Sequence, residues 1–129
     1  MQTFSKASDS FKRANPHLFL ASKFGEMKSA RAMNKTEAEF ARRLATNWRA
    51  GVIDGWAYES VTLKIADRCR YTPDFIAWTN LNRSIVFYEI KGGFARDDAI
   101  VKFKAAREMF KWAEFQMWSK NKGVWKRLY

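Results

Sequence analysis

Two carboxylates and a lysine fall where the periodicity of β-strands lets their side chains meet. Asp74 follows Pro73 in one strand-like segment, and Glu89 and Lys91 are separated by one residue in the next such segment. Side chains two residues apart share a face of a strand, and pairing of the two segments brings Asp74 alongside Glu89. Two carboxylates so placed repel each other unless a cation lies between them.

The oxygen ligands at these positions suit Mg²⁺, and we expect Mn²⁺ to substitute for it. Asp74, Glu89, the backbone carbonyl of Ile90 and a phosphate oxygen of a substrate would provide part of the octahedral coordination, with water completing it. Lys91 could orient or deprotonate an attacking water and offset charge on the phosphate. The chain has one Cys and one His, so a structural zinc site is disfavoured.

A helix that precedes these segments carries a further candidate carboxylate. Asn34 and Glu37 form a capping-box pattern, which predicts a helix running to about Arg49. Glu37 either serves only as a capping residue or also turns inward, since it lies at the inner end of the apolar stripe of this helix. Glu39 lies about 200° around the helix from Glu37 and points away. The apolar face that Glu37 adjoins is formed by Phe40, Ala41, Leu44 and Trp48.

The rest of the chain predicts one sheet with a second helix. Alternating patterns predict strands over 56–65, 70–78, 84–91, 114–119 and 124–128, with a helix over 97–111. The apolar side of that helix is predicted to contain Ile100, Val101, Phe103, Met109 and Phe110. This order indicates an α/β or α+β fold around a mixed sheet of about five strands. Residues 1–33 are interpreted as a basic arm or packing extension, and residues 34–129 as the domain.

The charge of the chain favours a polyanionic partner. The 129 residues include 24 Lys and Arg against 13 Asp and Glu, a net charge of +11. The basic residues are spread along the chain rather than gathered on one amphipathic segment, which favours nucleic acid over a membrane surface. No apolar run approaches the length of a membrane span, so we expect a cytoplasmic protein. A basic stripe on the second helix either contacts phosphates or is merely solvated: Lys102, Lys104, Arg107 and Lys111.

Two segments carry a resemblance to a known family. The segments YTPDF at 71–75 and YEIKG at 88–92 resemble the PD-(D/E)xK nuclease signature. The resemblance implies a restriction-endonuclease-like core and a metal-dependent endonuclease with catalytic Asp74, Glu89 and Lys91. Within the superfamily, residues 34–118 are most similar to phage resolvases of the endonuclease I type, which cut Holliday junctions. In those enzymes a helix glutamate, here Glu37, joins the metal site.

This resemblance also implies partners, and it leaves alternatives open. Branched DNA in phage recombination, inside an infected bacterial host, is the implied substrate and setting. Paired cuts at a symmetric junction imply a homodimer, because one active site serves one strand. The alternatives are a non-catalytic DNA-binding module on a nuclease-like fold, a duplex or nicking endonuclease without junction preference, and a basic protein that binds RNA or a membrane surface.

Overall fold

The computed structural model describes residues 33–92 and 97–129. The two helices of this part are α1 (Lys35–Arg49) and α2 (Asp97–Met109). The strands are β1 (Gly55–Tyr58), β2 (Leu63–Ala66), β3 (Cys69–Tyr71), β4 (Phe75–Thr79), β5 (Ser84–Lys91), β6 (Glu114–Asn121) and β7 (Val124–Arg127).

Five strands form a mixed central sheet in the order β1-β4-β5-β6-β7. The β5–β6 pair is parallel, and the other three pairs are antiparallel. Strands β2 and β3 form a separate antiparallel ribbon. The predicted α+β fold around a mixed sheet of about five strands is therefore confirmed. The parallel pair requires a crossover, and α2 provides it between β5 and β6.

Each face of the sheet carries its own apolar core. On one face, α1 packs against β1, β4 and β5 through a cluster that contains Phe40, Leu44, Tyr58 and Phe75. On the other face, α2 and the β2–β3 ribbon cover a second cluster. Because burial of one large apolar side chain contributes about 1.5–3 kcal/mol, the two clusters together hold the sheet between its helices. The second cluster consists of Leu63, Tyr71, Phe87, Phe103, Ala106, Phe115 and Met117.

Two of the predicted strands are wrong as continuous elements. The segment 56–65 is divided between β1 and β2, and the segment 70–78 is divided between β3 and β4. Glu59 follows β1 with φ +45°, so the backbone leaves the extended conformation within the first segment. In the second segment, residues 72–74, which include Pro73, separate β3 from β4. The chain between β1 and β4 thereby forms the ribbon that covers the α2 face.

The second helix also differs from its prediction. It ends at Met109, so Lys111 lies beyond the helix. Val101 and Met109 were predicted on the apolar side, but they are 65% and 55% exposed, whereas the predicted Phe103 is buried together with Ala106. The predicted arm of residues 1–33 lies outside the described residues apart from Met33, which packs against the α1-side cluster. Among the described residues, no helix has the length and apolar character needed to cross a membrane.

Candidate active site

Strand pairing places Asp74 next to Glu89 at one end of the sheet. Phe75 is opposite Tyr88 in the β4–β5 register. Asp74, the residue just before β4, therefore adjoins Glu89 of β5. Asp74 is half-buried there, and its Oδ2 accepts a hydrogen bond of 2.7 Å from the backbone N–H of Ile90. This backbone bond fixes the carboxyl group of Asp74 against the end of β5.

The carboxylate of Glu89 is held by two side chains. Glu89 is only 7% exposed. Its Oε1 lies 3.0 Å from Nζ of Lys91, and its Oε2 accepts a hydrogen bond of 2.7 Å from the hydroxyl of Tyr71. Burial, followed by the charge of Glu89, raises the pKa of Tyr71. Tyr71 therefore remains a hydrogen-bond donor and holds the orientation of Glu89.

The electrostatic environment of Asp74 favours its protonated form in the absence of a cation. Burial and then the charge of Glu89 raise the pKa of Asp74 to about 8. The N–H of Ile90 and the charge of Lys91 act in the opposite direction, and the charge of Glu37 adds to the increase. The single positive charge of Lys91 therefore does not balance the carboxylates at this end of the sheet.

Glu37 caps α1, and its charge also contributes to the raised pKa of Asp74. The predicted capping box is confirmed: the N–H of Glu37 donates to Oδ1 of Asn34 at 2.8 Å, and the N–H of Asn34 donates to Oε2 of Glu37 at 3.1 Å. The same Oε2 accepts a hydrogen bond of 2.9 Å from the hydroxyl of Tyr58. Glu37 thus joins the beginning of α1 to β1 and adds negative charge near the β4–β5 end.

Sequence reasoning missed both tyrosines that orient these carboxylates. Tyr58 ends β1 beside Phe75, and Tyr71 ends β3 in the ribbon over the opposite face. The only signal for Tyr71 was its position three residues before Asp74 in the motif. Nothing local indicates that the ribbon delivers its hydroxyl to Glu89.

The predicted metal ligands fit a hard cation in chemistry, although they do not form a complete site. In the ranges 33–92 and 97–129, no group of three or more His, Cys, Asp or Glu side chains is arranged to hold a metal ion. Both oxygens of Glu89 are already engaged, and Glu37 is held by Asn34 and Tyr58. The donors at Asp74, Glu89 and the Ile90 carbonyl are nevertheless all oxygens, which Mg²⁺ prefers, and it retains several water ligands.

The predicted basic stripe on α2 has its own neighbours. Nζ of Lys104 lies 4.8 Å from the ring centroid of Tyr129, and the guanidinium of Arg107 lies 5.6 Å from the same ring. Lys111 lies 3.1 Å from Glu108, and Lys102 is exposed. The structure therefore keeps these side chains at the surface, and their contact with phosphate remains a prediction.

Three other acidic residues, Asp54, Glu59 and Glu39, lie outside the carboxylate cluster. Asp54 is exposed and accepts a hydrogen bond of 2.6 Å from the N–H of Asn80, and Glu59 is exposed after β1. Glu39 forms an ion pair with Lys120 of β6, which agrees with its predicted orientation away from Glu37.

Comparisons with known proteins add no relative to this description. No protein-family model matches the chain, and neither the characterised proteins nor the solved structures contain a significant match to it. The fold and the carboxylate cluster therefore define an α+β protein with a cluster of oxygen donors at one end of its mixed sheet.

Proposed function

We propose that this protein is a Mg²⁺-dependent endonuclease that hydrolyses phosphodiester bonds in DNA. One observation carries the proposal: Asp74 and Glu89 are adjacent at the end of two paired strands, with Lys91 bound to Glu89 at 3.0 Å. Burial and the charge of Glu89 raise the pKa of Asp74, so a cation bound at this position would stabilise its ionised form. The resemblance to PD-(D/E)xK nucleases agrees with the sequence of elements, because a helix bearing Glu37 precedes the strands and α2 follows Lys91.

Each residue of the cluster has a distinct part in this reaction. Asp74, Glu89 and the Ile90 carbonyl would hold Mg²⁺, with Glu37 as a further carboxylate close by. When bound, the ion would supply positive charge to the phosphate and lower the pKa of a water molecule. Tyr71 keeps Glu89 in position.

Lys91 has a separate part in the chemistry. Its side chain is 17% exposed, so its ammonium group can reach a phosphate oxygen or orient the attacking water.

The charge of the chain and the resemblance suggest which nucleic acid is cut. A net charge of +11 favours binding of a polyanion, and the resemblance favours four-way or branched DNA. A homodimer would provide two sites for two symmetric cuts. Both substrate structure and dimer formation are parts of the proposal that the resemblance alone supports.

A direct cleavage assay tests the proposal. Purified protein is incubated with a four-way junction, a duplex and a single strand in Mg²⁺, in Mn²⁺ and in EDTA. We expect cleavage in either metal and none in EDTA. Absence of cleavage of all three substrates in both metals would refute the enzymatic function.

A second candidate function is a DNA-binding module that does not catalyse hydrolysis. The observation that favours it is the engagement of both Glu89 oxygens, Oε1 by Lys91 and Oε2 by Tyr71, so that each oxygen already has one partner that a metal ion would have to share or replace. This module would bind DNA with a strong dependence on salt concentration and cleave none of the three substrates.

A further inference from the structure

The end of the sheet that holds Asp74 and Glu89 is flanked by a cationic surface on the α1 side. Because β5 and β6 are parallel, with Lys91 opposite Ser119, the end of β6 projects past the same end of the sheet. The β6–β7 hairpin turns there through Lys122 and Gly123, both with positive φ, as a tight two-residue turn requires. This short turn presents Lys122 at an exposed position in a well-defined backbone.

The first turns of α1 lie at this same end. A Cβ atom on Gly92, just after β5, would come within 3.7 Å of Oγ1 of Thr36 in the first turn of α1. Lys35 is exposed beside Thr36, and Arg42 is exposed two turns later. At 1.5 Å per residue, Arg42 lies only about 10 Å further along the helix axis than Lys35.

One carboxylate lies among these cations. Glu39 is paired with Lys120, and its charge also interacts with those of Arg42 and Lys35. The hydrogen bond from Lys120, followed by its charge and those of Arg42 and Lys35, holds the pKa of Glu39 below its usual range. Glu39 is thus a carboxylate bound to one lysine, with the charges of two further basic residues close enough to act on it, and such a set of positive charges also suits a phosphate.

The α2 side is less suited to a polyanion near the cluster. Asp97 and Asp98 lie in the first turn of α2, which follows β5 after a short connection. Its basic residues come later in the helix, and Lys111 is already paired with Glu108. The basic residues of α2 therefore lie away from the carboxylate cluster, whereas those of α1 and the β6–β7 hairpin begin at the end of the sheet that holds the cluster.

We propose that the α1–hairpin surface, formed by Lys35, Arg42, Lys120 and Lys122, binds the phosphate backbone of the DNA whose cleavage we assign to the Asp74–Glu89 end. This inference rests on the proposed function and specifies which surface holds the substrate. Glu39 acts on this surface as an internal counterion, and it keeps Lys120 in place until a phosphate replaces it.

The first test compares two triple variants with the same change in charge. Lys35→Gln, Arg42→Gln and Lys122→Gln are combined in one protein. The control protein combines Lys102→Gln, Lys104→Gln and Arg107→Gln on α2, the helix on the opposite face of the sheet. Binding to a labelled four-way junction and to a duplex is measured in EDTA over a range of salt concentrations. Thermal unfolding verifies that both variants are folded.

We expect the α1–hairpin variant to bind about tenfold or more weakly, with a slope of log K against log salt smaller by about 2 to 3, since three phosphate contacts are lost. The α2 control should change binding by much less. Equal weakening of both variants, or greater weakening by the α2 control, would overturn the assignment of this surface. Wild-type protein that binds neither DNA would refute the proposed function and this inference with it.

The second test predicts a gain of binding, which misfolding does not imitate. Glu39→Gln removes the carboxylate that is paired with Lys120 and releases this lysine, so DNA affinity should increase severalfold. The matched control is Glu108→Gln, which removes the partner of Lys111 on α2 and should leave affinity almost unchanged. Weaker binding by Glu39→Gln, or an equal gain in both variants, would contradict the inference while cleavage by wild-type protein still upheld the proposed function.

Discussion

Replacement of Asp74 by asparagine in metal-free protein should stabilise the fold at alkaline pH. Burial and the charge of Glu89 raise the pKa of Asp74 from 3.8 to about 8. The folded protein thus holds this proton more tightly than the unfolded chain does. The resulting stability is complete below pH 3.8 and is lost as the pH rises through about 8.

The size of the effect follows from the change in pKa. One pH unit corresponds to about 1.4 kcal/mol, so even half of the change for Asp74 costs the folded state about 3 kcal/mol above pH 8. The asparagine keeps a side-chain oxygen that can accept the hydrogen bond of the Ile90 N–H, and it carries no charge to oppose Glu89. Asp74→Asn should therefore raise Tm by roughly 10 °C at pH 8 to 9 and by little at pH 5.

Thermal and urea unfolding in EDTA from pH 5 to pH 9 measures this difference. Asp67→Asn is the control, because Asp67 is an exposed carboxylate in the β2–β3 turn and its replacement should leave the pH dependence unchanged. Excess Mg²⁺ should stabilise the wild-type protein and have little effect on Asp74→Asn. A variant less stable than wild type at pH 8, or one with the same pH dependence, would refute the unbalanced charge at this end of the sheet.

Further predictions concern the groups around this carboxylate and, at the other end of β4, Gly55 beside Trp78. Glu89→Gln should abolish cleavage, while the affinity for DNA in a gel-shift assay is kept or increased. Lys91→Ala should lower kcat by a larger factor than it raises the Kd for DNA. Cleavage at the wild-type rate by either variant would place the active site elsewhere. Tyr71→Phe should lower the free energy of unfolding by about 1–3 kcal/mol, because a buried carboxylate oxygen loses its donor; an unchanged urea midpoint would contradict this. Gly55→Ala should cost about 1–3 kcal/mol, because a Cβ there would overlap the ring of Trp78, and an unaltered Tm would show that the ring moves freely.

The elements that depend on local pattern were predictable from the sequence. The capping box at Asn34 and Glu37 and the helical spacing of the apolar residues located α1 to its last residue. The alternation of apolar residues located β5, and with it the common face of Glu89 and Lys91. These features follow from hydrogen bonds and side-chain directions within a few residues, so short-range periodicity is sufficient to find them.

Only the tertiary structure decided which side chains meet around the cluster. Positive φ at Glu59 ends β1, positive φ at Arg68 turns the chain from β2 into β3, and the resulting ribbon brings the hydroxyl of Tyr71 to Glu89 across 18 residues of sequence. The pairing of Glu39 with Lys120 spans 81 residues and depends on the parallel register of β5 and β6. Such contacts are set by the order of the strands and by the packing of elements on each face of the sheet. Local periodicity specifies the face on which a side chain lies, but it does not specify which residue of another element lies beside it.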